Sequence, residues 1–276
     1  MTWKAVGRVL PSTLSDARLQ LHWAAQLVSA PGHTLLPVEV DYSHTNLEWD
    51  PSLGVLKGRA VGSEPLYAAL AFEGLDLLVL GAEREHSLGL AGRSMEQALA
   101  WLAQKICDDS DGLKLPEHDM PQHPLGEGAA FSDAGREEER AELAAWFANA
   151  TTLIRELVAE EPNASPVRCW PHHFDVASSI TLDPGQTAQS ARSIGVGLSP
   201  GDGSYDQPYF YVTPWPYPET DKLPSLPVGV EWHTEGWTGA VLTAEKVIST
   251  PHDEREVTVW KALLGAVAAC RALLRA

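Results

Sequence analysis

The sequence has few cysteines, few cations and no long apolar run, and each shortage excludes something. Its three cysteines, Cys107, Cys169 and Cys270, lie far apart and are odd in number. Neither a disulfide framework nor a CxxC zinc ribbon follows from them, and they read as reduced thiols used as small apolar residues. Only 20 Lys and Arg stand against 37 Asp and Glu, a formal charge of −17. The deficit is spread over the chain, with 8 basic and 13 acidic residues in 1–109, 3 and 8 in 110–140, and 9 and 16 in 141–276. No stretch can neutralise a phosphate backbone, so nucleic acid is not expected as a partner. An anionic membrane surface would repel the chain for the same reason. The N-terminus lacks a signal-like apolar stretch, and the apolar run from Ala262 to Cys270 is too short to span a bilayer. These features together predict an acidic protein that stays in the cytoplasm. Motifs are missing as well: there is no GxSxG elbow, P-loop or HExxH, and Gly195-Val196-Gly197 lacks the later glycine of a dinucleotide site.

Apolar residues make up 44% of the 276 residues. That is enough for a core, in one large domain or two lobes. Four helices are predicted. The first opens at Thr13 with Asp16 in a capping-box arrangement and runs through Leu19, Trp23, Leu27 and Val28 to Pro31-Gly32. The second starts with Ser94 and Gln97 in the same arrangement and carries Met95, Leu99, Leu102 and Ile106 on one stripe. A third begins near Asp133, with Glu137, Glu138 and Glu139 at its positive end. The last takes Thr250 as its cap and turns Val257, Trp260, Leu264, Val267 and Leu274 inward. Strands are predicted at 46–49, 55–61, 66–72 and 75–80, and again at 167–170, 174–182, 192–198, 209–213 and 238–242. The resulting class is α+β, with two similar lobes, each an antiparallel sheet flanked by helices. The lobes are 1–109 and 133–276, joined by an exposed, acidic, Pro-rich connection over 110–132, unless the whole forms one compact domain.

Chemistry-bearing residues concentrate between Trp170 and Tyr217. Trp170-Pro171-His172-His173-Phe174-Asp175 is followed by Ser199-Pro200-Gly201-Asp202 and then by Pro208-Tyr209-Phe210-Tyr211. If 172–180 is extended, His173 and Asp175 share a face. A histidine and a carboxylate so placed would ligate a metal or pair as base and orienting acid. An imidazole–carboxylate pair locking a core, with the tyrosines as packing, accounts for the same residues. Ser199-Pro200-Gly201-Asp202 suits a type II turn that delivers Asp202 to a strand end. On the first helix, His22 and Gln26 lie four apart and face the same way. His233 sits between Trp232 and Trp237, where an aromatic rim is expected, whereas His118 and His123 fall in the connection and read as solvated.

These motifs resemble those of a bacterial family of unknown function. Its members carry Trp, His and Phe-Asp in close order, an SPGD- or WPGD-type turn, a Pro-aromatic-x-Tyr strand, and an early Leu-His-x-x-x-Gln helix, matched here by Leu21 to Gln26. Remoter members place the His three before the Asp and closer ones two before. This chain has both, so the resemblance does not choose between His172 and His173, and the family brings no activity with it.

Three functions follow as expectations. The first is binding of a small polar metabolite in a pocket where the lobes meet, lined by His22, Gln26, His173, Asp175 and Asp202, with Tyr209 and Tyr211 supplying contact area. The second is a metal-assisted hydrolase, with a divalent ion on His172, His173 and Asp175. The third is an acidic interaction module with an exposed apolar patch around Trp232 and Trp237.

Overall fold

Short apolar runs bounded by Gly, Pro and acidic turns become strands at nearly every place where alternation predicts them. The computed structural model describes residues 3–82, 85–107, 112–186 and 190–275. Its class is α+β, with two antiparallel sheets of five and six strands.

The chain divides into two units, the first made of Thr13–Ala144 and Arg168–Phe174. It opens with helix α1 (Ser15–Leu35) and continues into strands β1 (Glu48–Asp50), β2 (Val55–Lys57), β3 (Tyr67–Ala71), β4 (Asp76–Leu80) and β5 (Glu85–Gly89). These pair in sequence order as an antiparallel meander. Leu56 stands opposite Trp49 and Leu70, and Leu70 opposite Leu77, so one face of the sheet is an apolar row. Helix α1 covers β2 and β3, and α2 (Met95–Cys107) covers β4. The predicted cap of α2 forms reciprocally: Gln97 N–H donates to Ser94 Oγ, and Ser94 N–H donates to Gln97 Oε1. At α1 the cap position falls on Leu14, one residue after the expected Thr13, and that residue supplies no side-chain cap. Asp16 lies inside the helix, where it accepts from Gln20 Nε2 and pairs with Arg136.

The segment 112–132 is largely exposed, as expected, but it is anchored at three points. Leu113, Leu125 and Phe131 are buried, and the segment runs along α1. Trp23 Nε1 donates to the Pro121 carbonyl, Ser132 N–H donates to Gln20 Oε1, and Thr34 and Lys114 exchange hydrogen bonds. Prolines suit this path because an extended strip beside a helix has few backbone partners to lose. His118 is half-buried beside the His172 ring at 5.3 Å, and His123 accepts from Leu125 N–H, so neither is the solvated residue predicted.

Helix α3 (Glu137–Val158) starts four residues later than expected and belongs to the first unit only as far as Ala144. Strand β6 (Arg168–Trp170) also belongs to the first unit, where Cys169 and Leu47 bond backbone to backbone.

The second unit joins the chain up to Ser12, Ala145–Val167 and the chain from Asp175 onward. It holds strands β7 (Asp175–Thr181), β8 (Ser193–Ser199), β9 (Tyr209–Trp215), β10 (Glu231–His233) and β11 (Gly239–Thr243), followed by helices α4 (Ala244–Ile248) and α5 (Arg255–Leu273). The strands run in the order β10-β11-β9-β8-β7. Alternation gives this sheet two unlike faces. Val176, Ile180, Ile194, Val196, Leu198, Phe210, Val212 and Leu242 point one way and are buried, and α5 packs on β8, β9 and β11. The buried residues of α5 are Val259, Ala262, Leu263, Ala266, Val267 and Cys270; of the predicted stripe Val267 and Leu274 are buried and Trp260 is half-buried, but Val257 and Leu264 are exposed. A helix apolar on nearly all sides gives no unique phase to read. Thr250 does not cap α5 but donates back to the Val247 carbonyl at the end of α4. The other sheet face bears Asp175, Ser179, Gly195, Gly197, Ser199, Tyr209, Tyr211, Thr213 and Gly239, and it is the polar one.

Candidate ligand site

The tyrosines of β9 owe their setting to the glycines beside them. Gly197 faces Tyr211 across the β8–β9 ladder, and a Cβ there would lie 2.5 Å from the phenol. The ring thus lies flat over bare backbone. Its hydroxyl donates to Asp175 Oδ2 on β7. Two residues earlier, Tyr209 is buried and donates to Asp202 Oδ2 at 2.5 Å. Asp202 also draws in its own loop: Oδ1 accepts the Ser204 and Tyr205 N–H groups at 2.8 and 3.1 Å. Gly201 has φ +118°, the positive value expected of the third turn position, but Asp202 N–H bonds to the Tyr205 carbonyl. The turn therefore extends into a short loop that brings Tyr205 back over the sheet.

Tyr205 completes a cluster of rings. Its centroid lies 4.8 Å from Tyr209 and 5.5 Å from His233. Trp237 stacks on His233 at 4.3 Å and lies 6.3 and 6.4 Å from Tyr209 and Tyr211. His233 Nε2 must donate to the Glu235 carbonyl at 2.7 Å, which leaves Nδ1 to accept from the Tyr205 hydroxyl at 3.1 Å. Burial, followed by the Asp202 bond, raises the Tyr209 phenol above its ordinary range, and burial with the Glu231, Asp202 and Glu235 charges raises Tyr205. Both phenols hold their protons and act as donors. All three tyrosine hydroxyls point their protons at partners inside the cluster. The cluster thus sets aromatic ring faces beside two carboxylates, Asp175 and Asp202.

His22 and Gln26, predicted to line a pocket, hold backbone instead. His22 Nε2 and Gln26 Nε2 both donate to the Pro171 carbonyl, at 2.9 and 2.7 Å, and both residues are buried. They fix a tight turn in which the N–H groups of His173 and Phe174 share the Trp170 carbonyl. Phe174 carries φ +58°, a left-handed conformation costing a side-chain-bearing residue roughly 1 kcal/mol. Its buried ring stacks on His22 at 5.2 Å with 9° between planes, and Phe72 flanks it at 6.0 Å. The turn corrects the expectation of an extended 172–180. The strand begins only at Asp175, so His173 and Asp175 do not share a strand face; His173 is exposed and His172 half-buried. Among the described residues no three His, Cys, Asp or Glu side chains are placed to hold a metal ion, which removes the set His172, His173 and Asp175.

Trp232 and Trp237 do not form an exposed patch. Each is half-buried, and the Trp232 indole donates to the Pro224 carbonyl. Sequence reasoning reached His233, Trp237, Tyr209, Tyr211, Asp175 and Asp202 but missed Tyr205. The signal available was Asp-Gly-Ser-Tyr after a Pro-Gly turn, an Asx-type loop that folds its fourth residue back.

No family model, curated protein or solved structure matches the chain. Among the described residues no helix is long and apolar enough to cross a membrane.

Proposed function

We propose that this protein binds a small polar molecule rich in hydrogen-bond donors, an amine or a polyol, on the polar face of the second unit's sheet. The observation that carries this reading is the direction of the protons. Tyr205, Tyr209 and Tyr211 all donate inward, to His233, Asp202 and Asp175. The cluster therefore gathers carboxylates and aromatic faces on one side of the sheet, a pairing that matches ammonium groups and the hydroxyl and C–H faces of polyols. Packing alone would favour apolar side chains here, since a carboxylate on a half-buried sheet face costs desolvation. On this reading Asp175 and Asp202 orient the ligand, Tyr211 and Trp237 supply contact area, the buried Tyr209 holds Asp202 in place, and His22 and Gln26 hold the Pro171 turn next in sequence to Asp175.

The test is thermal unfolding with three probe classes: a quaternary ammonium salt, primary amines, and small sugars or sugar alcohols. At least one class is expected to raise Tm by about 5 °C at about 100 times its Kd. Tyr211→Phe and Asp202→Asn are each expected to weaken that ligand about tenfold, the worth of one charge-assisted bond. No shift with any class, or undiminished binding in both variants, contradicts the proposal.

A further inference from the structure

An acidic chain has few guanidinium groups to place, and three of them line one cavity of about 320 Å³ in the second unit. Arg192 from β7–β8, and Arg271 and Arg275 from the end of the chain, surround it, with Asn163 and Thr181 as neutral polar groups and Ile180 among its apolar walls. Two of the three are rigidly held. Arg192 forks onto Asp183, donating from Nε and Nη2 at 2.8 and 2.7 Å, and its Nη1 donates to the Leu274 carbonyl at 2.6 Å. Arg271 Nη2 donates to Glu161 Oε1 at 2.6 Å. Arg275 makes no ion pair among the described residues, so three cations face two carboxylates and one positive charge is left over.

We infer that this cavity binds a small oxyanion of the phosphate type, free or as a monoester. Each guanidinium carries five N–H donors. After the bonds to Asp183, Leu274 and Glu161, Arg192 and Arg271 keep further donors, held in fixed planes by those same partners. The Arg275 fork has no partner among the described residues. A volume of about 320 Å³ lies at the small end of ligand pockets and suits one small molecule. The charge of −17 repels an extended polyanion, whereas a small anion responds to the local field of the three forks. This site shares no residue with the ring cluster and does not depend on the function proposed for it.

The test is isothermal titration of the full chain with inorganic phosphate, pyrophosphate and glycerol phosphate, each against chloride at matched ionic strength. Binding of one molecule per chain is expected, with Kd on the order of 1 mM or below. Arg275→Glu, a change at an exposed side chain, is expected to weaken it at least about tenfold. Arg271→Lys keeps the charge beside Glu161, removes the planar fork and is expected to weaken it about threefold. Tighter binding of phosphate or of the monoester tells whether the natural ligand is free or esterified. Heats equal to the chloride control for all three anions, or wild-type affinity in Arg275→Glu, overturn the inference.

Discussion

A histidine four residues from a glutamine on one helix face suits a pocket and a clamp equally well, and the Pro171 carbonyl decides between them. Burial holds the His22 imidazole down at about 4, and the bond to Pro171, which acts the other way, only partly offsets it. A histidine that folds neutral stabilises fully above its unfolded pKa of about 6.5, and that stability is lost as pH falls from there through about 4. Across this window His22 contributes about 3 kcal/mol. His172, also held down at about 4 by burial and then by His173 and His118, adds less because it is more exposed to solvent. Urea unfolding at pH 7 and pH 4.5 is expected to show a large loss in the wild-type chain. His22→Gln can still donate to Pro171 and is expected to shrink the loss by about 2 kcal/mol. An unchanged loss in that variant would mean that His22 is not the buried neutral group described. The partner here is a main-chain carbonyl, and no residue-type pattern encodes one, so His22 was legible as special while its task was not. Likewise, nothing in Trp-Pro-His-His-Phe announces that Phe174 takes a positive φ.

Strand β8 supplies the floor on which the rings of β9 rest, and its glycines give that floor its shape. Gly197→Ala places a methyl against the far end of the Tyr211 ring, which can swing aside without breaking the ladder. Small loss of stability, about 1 kcal/mol, is expected together with loss of the Asp175 bond and at least tenfold weaker binding of the ligand found by thermal shift. Binding and stability measured on the same preparation separate this from general unfolding. A variant that binds normally would show that Tyr211 in its present position is not needed. Most strands could be read from alternation, and the α2 cap from Ser94 and Gln97. Strand β5, Glu85-His-Ser-Leu-Gly, escaped because only Leu88 and its neighbours' spacing hint at a strand, and no residue of it is buried. Strand β10 has three residues, too few for a period. The phase of α5 was unreadable because alanines and valines surround it.

Across the whole chain, the succession of helix and strand patterns settled the α+β class but not where the units divide. The break falls inside α3, whose apolar periodicity is continuous, and residues 3–12 join the second unit through side chains that bond their main chain. Asn149 both accepts from Lys4 N–H and donates to the Lys4 carbonyl, and Arg255 Nη1 donates to the Val6 carbonyl. Contacts of that kind leave no mark on side-chain patterns. Charge acts at this scale too, with acceptors gathered on one sheet face and guanidiniums in one cavity. The most direct measurement of the central claim is NMR of the protein labelled with ¹⁵N at tryptophan indoles, titrated with the amine or polyol selected by thermal shift. Trp237 is assigned by the resonance lost in Trp237→Phe. The account predicts that this resonance moves saturably while those of Trp49 and Trp146, buried in the apolar cores, stay in place. A ligand that stabilises the protein yet leaves the Trp237 resonance unmoved would contradict it.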